Sequence, residues 1–143
     1  MKEKLSVLVV DDDREIVESI AIYLSRENLT IYKAYDGLQA LDIAAAHTIH
    51  LILMDIMMPN MDGHQATKAI RALGIERSDA VTIPIIALSA NAFIDDIQES
   101  LDSGMNDHIS KPINMEEVTD TITKYIKDDT CLEKELKQKQ NDR

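Results

Sequence analysis

The 143 residues predict a single α/β domain with a mainly parallel sheet, on three observations. Short, uniformly apolar runs at Ser6–Val10, Leu51–Met54 and Ile83–Leu88 are too brief for amphipathic helices and read as strands buried on both faces. Between them lie segments whose apolar residues recur at helical spacing. The two patterns alternate five times, which implies right-handed crossovers, helices on both faces and a strand order of 2-1-3-4-5.

The elements follow in turn. After the first strand comes an acidic turn, and Ile16, Val17, Ile20, Ala21 and Leu24 mark a helix to about Glu27, with Asp13 placed to cap its start. Leu29–Tyr35 is the second strand, favoured by Thr30, Ile31 and Tyr32. Asp36-Gly37 turns the chain into a helix that ends near His47, its expected inner stripe being Leu38, Leu41, Ala44 and Ala45. Ile49–Met54 is the third strand, and Met58-Pro59-Asn60-Met61-Asp62-Gly63 is a loop of turn residues. A helix with Ala66, Ile70 and Leu73 inward ends near Gly74. Thr82–Leu88 is the fourth strand, with Pro84 tolerated early. Ile94, Ile97 and Leu101 mark the next helix, which Gly104 closes as a C′ residue. Asn106–Ile109 is a short fifth strand. Asn114 with Glu117 opens the last helix, whose expected buried face is Met115, Val118, Ile122, Tyr125 and Ile126. The domain is expected to span residues 1–127. Residues 128–143 are mostly charged or amide-bearing, with Leu132 and Leu136 as a possible helical pair, and read as a frayed or disordered tail.

A formal charge of −11 without clustered Lys or Arg argues against direct binding to nucleic acid or an anionic membrane, since both need a basic face. A protein partner is expected instead. No apolar stretch reaches the roughly 18 residues of a spanning helix, and the start lacks a signal-peptide core, so the expectation is a soluble, cytoplasmic protein. Cys131, the one cysteine, excludes an internal disulfide and a Cys-based zinc site. His47, His50 and His64 show no metal-ligand spacing and are read as surface or helix-edge residues.

The chemistry sits at the carboxyl ends of the strands, the edge where open α/β sheets bind ligands. The first strand runs into Asp11 and Asp12, the third into Asp55, the fourth into Ser89 and the fifth into Lys111. Three carboxylates, a hydroxyl and an ammonium on one edge suit a divalent cation and a phosphoryl group. The cation offsets carboxylate repulsion, while hydroxyl and ammonium donors face phosphate oxygens.

Val-Val-Asp-Asp at 9–12, Met-Asp-Ile-Met-Met-Pro-x-Met-Asp-Gly at 54–63, Ile-Ile-Ala-Leu-Ser-Ala at 85–90 and Ser-Lys-Pro at 110–112 together resemble the receiver domain of two-component response regulators. The resemblance covers about residues 4–127, and the stretches 87–93 and 104–113 look most like receivers attached to hybrid sensor histidine kinases. It implies a flavodoxin-like fold of five βα units. It also implies that Asp55 is the phosphorylated residue, and that Asp11, Asp12, Asp55 and the carbonyl of Met57 hold Mg²⁺, with Mn²⁺ as an alternative ion. Ser89, Lys111 and backbone N–H groups near Met57 and Ala90 would contact the phosphoryl group. The Lys111–Pro112 peptide is expected cis, and Ser89 with His108, where many relatives carry Tyr or Phe, forms the expected switch. Met57 and Asn91 occupy positions that tune phosphoryl lifetime, and Met57 suggests slow self-dephosphorylation. Expected partners are a sensor histidine kinase or a histidine phosphotransfer domain, and a downstream protein target. Phosphorylation-dependent dimerisation is compatible with the resemblance.

Two rivals stand beside this reading. A haloacid-dehalogenase-type phosphatase also uses a strand-end aspartate with Mg²⁺, but needs a second acid two residues later, where this chain has Met57. A receiver-like interaction scaffold would not need the full set of Asp12, Asp55, Ser89 and Lys111. The chain is expected to be no enzyme toward other substrates, catalysing only its own phosphorylation and dephosphorylation.

Overall fold

A computed structural model describes residues 5–25, 29–58, 61–73, 83–89 and 94–125, the side chains of 94–97 excepted. Five parallel strands, β1 (Leu5–Val10), β2 (Leu29–Ala34), β3 (Leu51–Asp55), β4 (Ile85–Ser89) and β5 (Asp107–Ser110), lie in the order β2-β1-β3-β4-β5. Five helices connect or follow them: α1 (Arg14–Leu24), α2 (Gly37–Ala46), α3 (Gly63–Ala72), α4 (Ile94–Ser103) and α5 (Met115–Tyr125). The fold is the doubly wound parallel sheet that the alternation predicts, in the flavodoxin-like form that the receiver resemblance implies.

The strands are apolar throughout because both their faces are covered. Side chains alternate between two cores. Val7, Val9, Leu51, Leu53, Ile86, Leu88 and Ile109 pack with α1 and α5 through Val17, Ile20, Leu24, Val118 and Ile122. Leu8, Val10, Ile52, Met54, Ile85 and Ala87 pack on the opposite face with Ala40 and Ala44 of α2 and with Ala66 and Ile70 of α3.

Side-chain caps start the helices where the sequence places them. Asp13, Asp36 and Asp62 accept from the backbone N–H groups of Glu15, Gln39 and Gln65, and Gln65 Oε1 in turn accepts from Asp62 N–H, completing a capping box. Asn114 Oδ1 accepts from Glu116 and Glu117 N–H at 2.8 and 3.2 Å. Gly104, at φ 111°, ends α4 in the left-handed region that side chains rarely adopt.

Three orientations differ from expectation. In α2 the buried stripe is Gly37, Ala40 and Ala44, while Leu38 is 51% exposed and Ala45 faces solvent. The small residues let this helix lie close to the sheet and turn the larger Leu38 outward. Leu73, expected to face inward, is only partly buried at the C-cap of α3. Ala90, Asn91, Ile126 and the expected tail lie outside the described residues.

One close approach ties α3 to the end of β3. Gly63 N–H donates to Ile56 O at 2.9 Å, and a Cβ added at Gly63 would overlap Asp55 O and come within 2.9 Å of Ile56 Cα. Backbone cannot yield as a flexible side chain can, so Gly63→Ala is expected to cost about 1–3 kcal/mol. A urea unfolding curve with a lowered midpoint and unchanged slope checks this.

Candidate functional site

The sheet register brings the strand ends together step by step. Val10 pairs with Met54, so Asp11, next along β1, falls beside Asp55. Asp55 pairs with Leu88, which sets Ser89 one residue further along, and Ser89 pairs with Ser110, which delivers Lys111 immediately beyond. The ladder continues past the strands, with Lys111 N–H donating to Ser89 O at 2.8 Å.

Carboxylate oxygens of Asp11, Asp12 and Asp55 all lie within 4.8 Å of one another. Asp11 is fully buried, Asp55 is 3% exposed and Asp12 faces solvent. Lys111 Nζ lies 2.9 Å from Asp11 Oδ2 and donates to Asp55 Oδ1 at 3.3 Å. Asp11 Oδ1 accepts from Asp13 N–H at 3.0 Å. Asp11 Oδ2 is fully buried and has the Lys111 ammonium as its counter-charge at 2.9 Å. An oxygen-preferring cation fits this set of three carboxylates, one of them solvent-facing for entry.

Electrostatics follow from that crowding. Burial first, then the neighbouring Asp11 charge, push the Asp55 carboxyl from its ordinary 3.8 up to about 7, against the opposing pull of Lys111. For Lys111, burial alone would lower the ammonium, but the carboxylates of Asp11 and Asp55 outweigh it and hold its pKa above the ordinary lysine range. Proton and cation therefore compete for the same excess of negative charge.

Ser89 is buried at the end of β4, and the Lys111–Pro112 peptide is cis as expected. Met57 has its side chain in solvent, at 77% exposure. His108 is half-buried on β5, with Nδ1 4.0 Å from Asp107 Oδ1. Ala90, expected to offer a backbone N–H, lies outside the described residues.

Two histidines differ from their expected surface roles. His50 Nδ1 accepts from Ser6 N–H at 2.9 Å, which leaves its proton on Nε2 and extends the β1–β3 pairing by one residue. His64 is nearly buried between α3 and α4, where Nε2 lies 3.1 Å from Ser100 Oγ. His47 stays at the surface, its ring 4.6 Å from that of Tyr32. Arg71 on α3, which no sequence motif marks, donates to Gly104 O and Asn106 Oδ1 and so clamps the α4–β5 turn.

A family model for the response regulator receiver domain matches residues 7–123, and the chain belongs to that family. It is 35% identical over 123 residues to the sensor histidine kinase RcsC of Escherichia coli, a match that covers 86% of this chain and 12% of that protein. Among solved structures it resembles the receiver domain of the sensor histidine kinase PA1611 from Pseudomonas aeruginosa, described with a magnesium ion in its active-site cleft. The TM-score is 0.73 at 32% identity, covering 86% of this chain and 98% of that one. It also resembles a chain of the Saccharomyces cerevisiae complex between the phosphotransfer protein Ypd1 and the receiver domain of Ssk1, with TM-score 0.78, 29% identity, and coverage of 87% and 90%. The chain spans about one-eighth of the length of RcsC. Among the described residues no helix is long and apolar enough to cross a membrane.

The raised Asp55 pKa has a defined sign in folding. Its proton binds the folded state more tightly than the unfolded one, so the stability it contributes is full below pH 3.8 and is lost as pH rises through about 7. In chelator, Asp55→Asn is therefore expected to match wild type near pH 4 and to exceed it at pH 8 by about 1–4 kcal/mol. Paired urea titrations across that range measure the difference.

Proposed function

We propose that the domain accepts a phosphoryl group on Asp55 from a phosphohistidine, and passes the signal on by altered protein contact or by relay to a histidine phosphotransfer partner. The observation that carries this is the buried Asp55 carboxylate at a strand end, with Lys111 Nζ at 3.3 Å and two further acids beside it. The PA1611 and Ypd1–Ssk1 likenesses support the Mg²⁺ and partner assignments.

Asp55 in its ionised form supplies the attacking oxygen. An O–P bond forms, the P–N bond to the partner's imidazole breaks, and that nitrogen keeps the electron pair. Such transfer asks for in-line positioning and charge neutralisation more than for covalent participation by other groups. Lys111 stabilises charge on the phosphoryl oxygens and Ser89 offers a hydroxyl donor from the adjacent strand. Asp11, Asp12, Asp55 and the Met57 carbonyl would hold Mg²⁺, whose positive charge would keep Asp55 ionised. The domain turns over only the phosphoryl group it carries itself. Beside Lys111 a cleft of about 310 Å³, with Ile16, Ile113 and Met115 in its wall and Asp13 and Glu15 also lining it, suits a protein surface. Ser89 and His108 form the switch toward the α4, β5 and α5 face, where Leu101, His108 and Tyr125 line a second cleft.

Incubation of the protein with acetyl phosphate and Mg²⁺ is expected to add one stable phosphoryl group by intact mass. Asp55→Asn or a chelator removes the gain, and Lys111→Ala slows it by about two orders of magnitude. Continuous phosphate release would indicate a phosphatase, and no reaction a scaffold. In the same samples His108→Tyr is expected to change the phosphorylation-dependent affinity for the partner.

A further inference from the structure

We infer that His64 is a positioning residue that couples the acceptor edge of the sheet to α4 through its contact with Ser100. The inference rests on the reading of Asp55 as acceptor. It begins at the residue before His64. Gly63 abuts the backbone of Asp55 and Ile56 so tightly that it has no room for a Cβ, and its N–H donates to Ile56 O at 2.9 Å. Thr67 Oγ1 donates back to Gly63 O at 2.7 Å and fixes the first turn of α3 to that contact. His64 thus starts from a backbone that cannot shift independently of Asp55.

From there the imidazole reaches α4. Its side chain is 12% exposed; Nε2 lies 3.1 Å from the Oγ of Ser100, which is 3% exposed, and Nδ1 lies 3.5 Å from Glu99 Oε1. An apolar side chain could fill the same space without the desolvation cost of an imidazole, so what His64 adds is a directional bond. Ser100 is itself rooted in the end of α4. Its carbonyl accepts from Ser103 Oγ at 2.7 Å and from Met105 N–H at 3.0 Å. Those residues lead through Asn106 into β5, the strand that ends at Lys111. One contiguous set of short contacts thus runs from the acceptor backbone, through α3 and the imidazole, to the turn that sets α4 and the Lys111 strand.

Coupling of this kind is reciprocal, so a ligand that displaces the backbone at 55–56 biases α4, and displacing α4 biases the acceptor edge. The test uses the full chain with beryllofluoride and Mg²⁺ as the phosphoryl mimic, and reads backbone amide NMR shifts. In wild type, shifts are expected at Asp55 and Lys111 and also at 101–104. In His64→Ala the shifts at Asp55 and Lys111 persist while those at 101–104 fall at least twofold. His64→Gln, whose amide can still reach the hydroxyl, restores most of the response. Ser100→Ala lowers the α4 response as His64→Ala does, and the double variant lowers it no further, because both remove one contact. An α4 response unchanged in His64→Ala, or losses that add in the double variant, overturns the inference alone. Silence at Asp55 and Lys111 in wild type overturns the acceptor reading and this inference with it.

Discussion

The repulsion between the buried carboxylates of Asp11 and Asp55, with Lys111 as their shared counter-charge, is the constraint around which this domain is arranged. Two acids nearly excluded from water and within 4.8 Å of each other cannot both stay ionised cheaply. One ammonium at 2.9 and 3.3 Å answers part of that charge. The remainder is the driving force for taking up a proton or a cation. A residue held in this condition responds strongly to whatever next enters the cleft, and in that sense destabilisation of the site and its chemical readiness have one origin.

The fold supplies the geometry that makes the repulsion unavoidable. Strand order places β1 beside β3, and the register sets Asp11 abreast of Asp55, so neither acid can retreat without slipping a strand and turning an entire apolar row to the wrong face. Behind the site, Gly63 lets α3 press against the backbone of Asp55 and Ile56, and the Asp62–Gln65 capping box fixes where that helix begins. On the far side, Arg71 and the left-handed Gly104 hold the turn from which β5 carries Lys111 inward. The charged groups are few, but the apolar core determines their separation.

Much of this was legible in the residues. Uniformly apolar runs such as Leu51–Met54 specify buried parallel strands, and the polar residue ending each run marks the edge where chemistry collects. The four motifs and their order pointed to the receiver family, which the family model supports over residues 7–123. What could not be read was orientation on helices with a mixed apolar pattern. Leu38 looked like core, yet the smaller Ala40 and Ala44 take the close contact with the sheet and leave it exposed. His64, His50 and Arg71 acquire partners 33 to 44 residues away in sequence, and no local spacing encodes such contacts.

The central claim is that proton and divalent cation compete for one crowded set of carboxylates, with Asp55 as the group that changes state. Calorimetric titration of Mg²⁺ near pH 6.5, in two buffers of different ionisation heat, measures that competition directly. The account predicts release of a substantial fraction of a proton per bound ion in wild type and none in Asp55→Asn. Binding to the wild-type protein without proton release would contradict it.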